Sequence, residues 1–143
     1  MKPFCILIDI DGTLALKGSR HPYDFNKVSE DSLNQIVHDV IAAYLNYNPD
    51  TEAIFVSGRS DICLEDTKEW LFDKCLFLKD DKFPLFMREH EDYRSDFIIK
   101  EEIYLNKIAP YYSVKLVFDD RDSVVKMWRS HNLCCFQVAD GDF

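Results

Sequence analysis

The sequence predicts an α/β fold with a mostly parallel five-stranded sheet and helices on both of its faces. Short apolar runs typical of buried strands alternate along the chain with segments whose apolar residues recur every three or four positions. The chain has 143 residues, of which 47% are hydrophobic. This length suits one compact domain, so we expect residues 1–143 to form a single domain.

Two strands and a helix are expected in the first part of the chain. The run from Phe4 to Ile8 is apolar throughout and predicts a buried strand. Residues 12 to 28 predict a loop or a small flap rather than a large cap. A helix is expected from about Ser29, its N-cap, to the turn at Asn48-Pro49-Asp50. Glu52 to Val56 predicts a second buried strand.

The second part of the chain continues the same alternation. Helices are expected over Ser60 to Cys75, Ser95 to Ile108 and Asp122 to Ser130. Strands are expected over Pro84 to Arg88, Val114 to Phe118 and Cys134 to Val138. Proline is tolerated only at the start of an edge strand, so the strand that begins at Pro84 is expected at an edge of the sheet.

Composition limits the classes of function. The net charge of −9 disfavours a protein that grips long nucleic acid through its phosphates, but it allows an enzyme that contacts only a strand terminus. The five cysteines have no Cys-x-x-Cys spacing, which indicates reduced thiols rather than disulfides or a zinc site. No run approaches the roughly 18 consecutive apolar residues of a membrane span, and no leader segment is evident. We therefore expect a cytoplasmic protein with no membrane partner.

Two carboxylates stand one residue apart after the first strand, in Asp9-Ile10-Asp11-Gly12-Thr13. Side chains alternate faces along a strand, so Asp9 and Asp11 converge only if the backbone turns, and Gly12 permits such a turn. A converging pair can bind a hard cation, supply a nucleophilic oxygen and supply a proton. The pattern favours phosphoryl transfer, while the alternative is an Asp-Gly turn with no catalytic role.

Chemically reactive side chains stand at the ends of three predicted strands. Asp9 and Asp11 follow the first strand, Ser57 to Arg59 follow the second, and Asp119 and Asp120 follow the fourth. Ligands in an open parallel sheet bind beyond the carboxyl ends of its strands. We therefore expect these residues to share one site.

A phosphoryl-transfer reaction can be assembled from these groups. Asp9 would attack phosphorus, and Asp11 would protonate the departing oxygen and later take a proton from the hydrolytic water. Mg²⁺ bound by Asp9 and Asp119 would screen the carboxylate from the phosphate. Ser57 can hold phosphoryl oxygens, and Lys100 can reach in as a point charge.

Two of these residues also have a purely structural interpretation. Lys100 stands in a Lys-Glu-Glu run, and spacing alone slightly favours a lysine on the surface. Asp120 can serve as an acidic residue that favours the N-terminus of the next helix. It can equally assist a metal site beside Asp119.

In this order the residues resemble the haloacid dehalogenase superfamily of phosphotransferases. Its four signatures match the Asp9-x-Asp11-Gly-Thr motif, Ser57, Lys100 and the Asp119-Asp120 pair. More closely, the chain resembles the 3'-phosphatase domain of bacteriophage polynucleotide kinase-phosphatases over nearly its whole length. The segments that carry this closer resemblance include Arg20-x-Pro22-Tyr23-Asp24, Val56-Ser57-Gly58-Arg59, Arg94-x-Asp96-x-x-x-Lys100-Glu101-Glu102-Ile103, Asp119-Asp120-Arg121 and Gly141-Asp142-Phe143.

The resemblance implies a Rossmann-like core and a Mg²⁺-dependent phosphatase that removes 3'-phosphates from nucleic-acid ends or nucleotides through an aspartyl phosphate. It implies Asp9 as the nucleophile and Asp11 as the acid-base group. The implied metal ligands are Asp9, Asp11, Asp119 and Asp120. The implied phosphate or substrate ligands are Thr13, Arg20, Ser57, Gly58, Arg59, Asp96 and Lys100. Without the resemblance, Arg20 and Arg59 could be surface arginines and Asp96 a helix cap.

The chain departs from this family in two respects. It contains no Gly-x-x-x-x-Gly-Lys-Ser/Thr loop, so we expect no 5'-kinase activity and allow for a separate kinase or ligase as a partner. The segment from Ser60 to Tyr93 matches the family poorly and is shorter. If the chain is phage-encoded, its compartment is the cytoplasm of the host cell.

Two other functions remain open from the sequence. The first is a nucleotidase or small-molecule phosphatase of the same superfamily, which the acidic charge and the lack of a large cap favour. The second is a phosphoacceptor receiver domain, which also combines an acidic pair, an aspartate and a lysine. In a receiver domain the acidic pair follows the first strand, whereas Asp119 and Asp120 follow a late one.

Overall fold

A parallel sheet lies at the centre of the structure. The computed structural model describes residues 1–143, with strands β1 (Phe4–Ile8), β2 (Ala15–Leu16), β3 (Ser32–Leu33), β4 (Thr51–Ser60), β5 (Leu85–Arg88), β6 (Ser113–Asp119) and β7 (Cys135–Gln137). Five of them form one sheet in the order β5-β4-β1-β6-β7, and every neighbouring pair in it is parallel. The predicted five-stranded α/β sheet is confirmed, with β5 at an edge as expected.

Four α-helices connect the strands, namely α1 (Gln35–Tyr47), α2 (Leu64–Lys74), α3 (Asp96–Ile103) and α4 (Asp122–Ser130). Helix α4 has the bounds that the sequence predicts. The predicted helix from Ser95 to Ile108 is divided in the structure, because α3 gives way to a π-helical segment over Tyr104–Ile108. The predicted second helix likewise begins with a 3₁₀ turn over Asp61–Cys63 before α2.

The predicted start of the first helix at Ser29 is wrong. Ser29 lies inside a 3₁₀ helix over Phe25–Glu30, and α1 begins only after Asn34. Between the two helices, β3 pairs antiparallel with β2. Leu33, which the apolar periodicity assigns to the helix, belongs to β3. A 3₁₀ turn and an α-helix have similar apolar spacing, so the pattern alone does not separate them.

The segment between β1 and α1 is the small flap that the sequence predicts. It consists of the β2–β3 ribbon and the 3₁₀ helix Phe25–Glu30. The indole N–H of Trp70 on α2 donates to the backbone carbonyl of Asp31 at 2.8 Å. This bond fixes the end of the flap against the body of the domain.

The core lies on both faces of the sheet. In β1, Cys5 and Leu7 join a cluster of 13 buried residues with side chains of α3 and α4, while Ile6 and Ile8 join a second cluster of 13 with side chains of α1 and α2. This alternation is the two-residue period of a strand that is buried on both faces. It explains why the run from Phe4 to Ile8 is apolar at every position.

Two further features concern the cysteines and the helices. All five cysteines are free thiols, and of these only Cys134 is exposed. None of the helices has the length and apolar character that crossing a membrane requires.

Gly12 makes the turn that brings the chain back after β1. Its φ angle is +81°, in the left-handed region that favours glycine. Its N–H donates to the carbonyl of Ala15 at 3.0 Å. A β-carbon at Gly12 would lie 2.1 Å from Oδ2 of Asp120, so the turn needs glycine for space as well as for conformation.

We predict that Gly12→Ala lowers the free energy of unfolding by at least about 1–2 kcal/mol, which is the cost of the left-handed conformation for a residue with a β-carbon. The matched control is Gly18→Ala, since a β-carbon at Gly18 would have no neighbour within 4 Å. Urea denaturation followed by far-UV circular dichroism measures both variants. Equal midpoints for the two would contradict this account of the turn.

Candidate active site

The carboxyl ends of β1, β4 and β6 lie side by side and bring the predicted site residues together. Asp9 directly follows β1, and its N–H donates to the carbonyl of Phe118 in β6 at 3.0 Å. Ser57 lies within β4, and Asp119 is the last residue of β6. The direction of strand addition reverses between β1 and β6, and such a reversal opens a crevice for a ligand.

Lys100 is the centre of this arrangement. Its side chain is only 2% exposed, and its ammonium group donates to Oδ1 of Asp9 at 2.6 Å and to Oδ2 of Asp119 at 2.9 Å. A surface position for Lys100 is therefore excluded. Burial opposes its charge, but the negative charges of Asp119, Asp9 and Asp96 outweigh burial and raise the pKa of the ammonium group. The group remains a cation.

Both oxygens of the Asp9 carboxylate are held by hydrogen bonds. Lys100 occupies Oδ1, and the hydroxyl of Thr13 donates to Oδ2 at 2.7 Å. Burial and the neighbouring charge of Asp119 raise the pKa of Asp9 well above its ordinary value, while the charge of Lys100 acts in the opposite direction. The carboxylate of Asp9 is thus oriented, and Lys100 stabilises its charge.

Three carboxylates form a group that suits a hard cation. Ligand oxygens of Asp9, Asp119 and Asp120 all lie within 4.8 Å of one another, and all three residues are buried. Burial and the charge of Asp119 also raise the pKa of Asp120. Carboxylate oxygens are the ligands that Mg²⁺ takes, and three carboxylates beside one ammonium group retain a net negative charge. These three residues therefore fit the predicted metal.

The side chain of Asp11 does not belong to this group, although the sequence places it there. Its carboxylate accepts hydrogen bonds from Arg59 Nε at 2.9 Å and Nη2 at 2.8 Å, and from Arg20 Nη2 at 3.3 Å. Burial would raise the pKa of Asp11, but the hydrogen bonds and charge of Arg59, together with the charge of Arg20, lower it overall. Asp11 is thus held as a carboxylate between two guanidinium groups.

Arg20 and Arg59 are buried rather than surface arginines, and a third acid holds them. Asp31, whose side chain is fully buried, accepts from Arg20 Nε at 2.7 Å and Nη2 at 2.9 Å, and from Arg59 Nη2 at 2.8 Å. The hydroxyl of Thr67 accepts from Arg59 Nη1 at 3.0 Å. Sequence reasoning missed both Asp31 and Thr67. No motif in the neighbouring sequence indicates Asp31, because its contacts with the arginines form only when the flap packs against α2.

The remaining predicted residues lie around these two charge networks. Asp96 does not cap α3, since Ser95 holds the N-cap position, and its carboxylate pairs with Arg88 and with Arg121 at 3.3 Å. Gly58 lies against Asp96, where a β-carbon would be 2.5 Å from Oδ1. The hydroxyl of Ser57 accepts from the N–H of Arg59 at 3.1 Å. The structure thus brings all the predicted site residues to one rim.

An aspartate with both oxygens held, a buried lysine and an acidic pair at the strand ends define a phosphatase domain of the haloacid dehalogenase type. A family model, described as the polynucleotide kinase PNKP phosphatase domain, matches residues 3–143. The chain belongs to this family and is accordingly a phosphoric monoester hydrolase. The match includes the segment from Ser60 to Tyr93.

The chain is similar to one part of larger proteins. It is 41% identical over 130 residues to the "Putative bifunctional polynucleotide kinase/RNA ligase" of Autographa californica nuclear polyhedrosis virus, covering 89% of this chain and 18% of that protein. A structure of the Pnkp1/Rnl/Hen1 RNA repair complex contains a chain with 38% identity and a TM-score of 0.88, covering 99% of this chain and 44% of the other. A second structure of that complex gives 37% identity, a TM-score of 0.87, and coverage of 99% and 48%. The chain thus spans less than half the length of these relatives.

We predict that Asp31→Asn destabilises the fold by roughly 3 to 5 kcal/mol, the usual cost of removing one partner of a buried ion pair. The amide keeps the shape of the side chain but leaves two buried guanidinium groups without their shared negative charge. The control is Asp39→Asn, because Asp39 is also hydrogen-bonded, by Gln35 and His38, but is exposed. Urea midpoints should fall for Asp31→Asn and stay nearly constant for Asp39→Asn. A small effect at Asp31 would show that Asp11 alone balances the arginines.

Proposed function

We propose that the chain is a Mg²⁺-dependent phosphatase that removes 3'-phosphates from nucleic-acid ends, with RNA ends as the first substrate to test. The observation that carries the proposal is the buried Asp9 carboxylate, held by Lys100 and Thr13 and facing the same rim as Arg20 and Arg59. Family membership supports the phosphatase class. The RNA ligase and RNA repair functions named for its relatives support the choice of RNA.

In this proposal Asp9 attacks phosphorus, and the bond between phosphorus and the 3'-oxygen breaks as an aspartyl phosphate forms. A phosphate that binds Arg20 and Arg59 displaces Asp11 from them and so removes the interactions that lower the pKa of Asp11. Asp11 can then take up a proton, deliver it to the departing oxygen, and later take one from the water that releases inorganic phosphate. The hydrogen bonds from Lys100 and Thr13 orient the attacking carboxylate. Such orientation lowers the entropic part of the barrier.

Asp9, Asp119 and Asp120 would hold the Mg²⁺ ion, since their oxygens form the compact group of carboxylates at the rim. When bound, the ion supplies positive charge that allows an anionic phosphate to approach an anionic nucleophile. The indole N–H of Trp128 donates to Oδ2 of Asp119 at 3.2 Å, and the N–H of Asp120 donates to Oδ1 of Asp119 at 2.8 Å. These bonds fix the Asp119 carboxylate in place.

Arg20 and Arg59 would bind the phosphate being removed. Both guanidinium groups are buried and already bind two carboxylates, Asp11 and Asp31. A phosphate dianion beside them competes with Asp11 for the same N–H donors, because guanidinium groups bind phosphate and carboxylate in the same geometry. Asp11 is the more exposed of the two carboxylates, with 46% of its side chain accessible, so the phosphate can displace it from the arginines.

A nucleotidase acting on small phosphate esters is the second candidate. Two observations favour it: the net charge of −9, and a small flap in place of a cap that would define a large substrate surface. The same catalytic residues would serve both activities. A receiver domain is disfavoured by the family to which the chain belongs.

One assay separates these activities. We predict Mg²⁺-dependent release of phosphate from a 3'-phosphorylated oligoribonucleotide, its deoxy counterpart and a 3'-mononucleotide, with little release from a 5'-mononucleotide. Removing Mg²⁺ with a chelator should stop release from all of them. Preferential hydrolysis of the 5'-mononucleotide would instead identify a nucleotidase, and undiminished activity in the chelator would exclude the metal-dependent mechanism.

Two substitutions test the roles of the aspartates. Asp9→Asn should abolish turnover without unfolding the protein, because an amide is a poor nucleophile. Asp11→Asn should lower kcat roughly 10²- to 10⁴-fold, the usual contribution of general acid-base catalysis. Asp50→Asn is the control, since Asp50 is exposed in the turn before β4. It lies at the amino end of that strand, whereas the site lies at the carboxyl ends. Steady-state phosphate release at saturating substrate measures kcat for all three variants. Activity of a few per cent or more in Asp9→Asn would contradict the aspartyl-phosphate mechanism.

A further inference from the structure

The flap carries an aromatic surface next to the arginines of the site. Tyr23 is 77% exposed, and its ring lies 5.6 Å from that of His21. Arg20 Nη1 donates to the backbone carbonyls of His21 at 3.4 Å and Pro22 at 3.3 Å. The guanidinium group that contacts Asp11 therefore also supports the backbone that presents Tyr23.

A cavity of about 200 Å³ opens beside Tyr23, between the flap and the turn that follows β4. Tyr23 and Phe25 line it from the flap, and Ile62 and Cys63 line it from the turn. Ile62 is 65% exposed, so two large apolar side chains stand in contact with water at the mouth of one cavity. The proposed mechanism does not use any of these four residues.

A short chain of contacts joins the cavity to the phosphate end of the site. Cys63 lines the cavity, and its sulfur lies 3.6 Å from the hydroxyl of Thr67. The same hydroxyl accepts from Arg59 Nη1 at 3.0 Å, and Arg59 binds Asp11. The cavity is thus joined to Arg59 through Cys63 and Thr67, and it is the neighbouring space for the rest of a nucleotide whose phosphate lies at the arginines.

The polar groups of the cavity select against a second phosphate. The carboxylates of Asp24 and Asp66 and the amide of Asn26 complete the lining, and no arginine or lysine is among the lining residues. Carboxylates repel a phosphate but accept hydrogen bonds from the amino and imino groups of a nucleobase. A neutral, flat, aromatic group with N–H donors fits this combination of apolar and acidic side chains.

We propose that this cavity binds the nucleobase of the nucleotide that carries the 3'-phosphate, with the ring of Tyr23 stacked on the base. The inference rests on the proposed function, because it requires a 3'-phosphate at Arg20 and Arg59. Stacking of a base on an aromatic side chain tolerates any base sequence, since every base has a π face. The cavity would therefore recognise a terminal nucleotide without reading its identity.

The test compares two 3'-phosphorylated oligonucleotides that differ only in the terminal residue, which is a normal nucleotide in one and a stable abasic residue in the other. In the unmodified protein, kcat/KM should be roughly 5- to 150-fold higher with the base, which corresponds to the usual contribution of one stacked base. Tyr23→Ala should bring this ratio close to one, mainly through KM, because the contact is made in the ground state as well as the transition state. Tyr23→Phe should retain most of the ratio.

Tyr47→Ala is the matched control, because Tyr47 is 87% exposed and is the last residue of α1. It precedes the first residue of β4, so it lies near the amino end of that strand, whereas the site lies at the carboxyl ends. It should leave kcat/KM unchanged for both oligonucleotides. If the unmodified protein hydrolyses both oligonucleotides equally well, or if Tyr23→Ala keeps the full preference for the base, the cavity is not the base site. Failure to release phosphate from either oligonucleotide would overturn the proposed function itself, which is a different outcome.

Discussion

The ion pairs of Lys100 with Asp9 and Asp119 are the interaction on which the site depends. Three carboxylates at one rim of a buried sheet repel one another, and removing them from water costs several kcal/mol per ion unless opposite charge is close. The ammonium group lies 2.6 Å from Asp9 and 2.9 Å from Asp119, and so supplies that charge within the fold. Lys100 lies on α3, whereas Asp9 directly follows β1 and Asp119 is the last residue of β6. The pairs therefore also fix the helix against the sheet.

A second charge network lies at the same rim. It joins two guanidinium groups to Asp11 and Asp31, and it is closed by the flap rather than by the sheet. The two networks differ in exposure. The lysine network is buried on all sides, while the arginine network reaches solvent at Asp11. In the proposed mechanism, an anionic substrate would replace Asp11 in the arginine network without disturbing the lysine network, which orients the Asp9 carboxylate.

The sequence predicts the sheet well because the burial of its strands is a local property. A strand covered on both faces is apolar at every position, so the run from Phe4 to Ile8 is unmistakable, and α4 has a comparably clear amphipathic pattern. The sequence does not predict the start of α1, because Leu33 pairs in a ribbon that only tertiary contacts create. The burial of Lys100 and the role of Asp31 depend on residues distant in sequence, such as Asp9 and Arg59. The local Lys-Glu-Glu sequence does not indicate these contacts.

The segment that the sequence assigns to the start of the first helix also positions residues of both the arginine network and the cavity. The 3₁₀ helix Phe25–Glu30 leads inward to Asp31, whose carboxylate holds both arginines. At its other end, its first residue Phe25 and nearby Tyr23 line the cavity. If this segment continued α1, neither the buried acid nor the aromatic surface could occupy its present position. The same few residues therefore set the charge around Asp11 and the shape of the adjoining cavity. On the proposed function and base site, the chemistry would follow from the strand ends, while the choice of substrate would depend on how the flap is folded against α2.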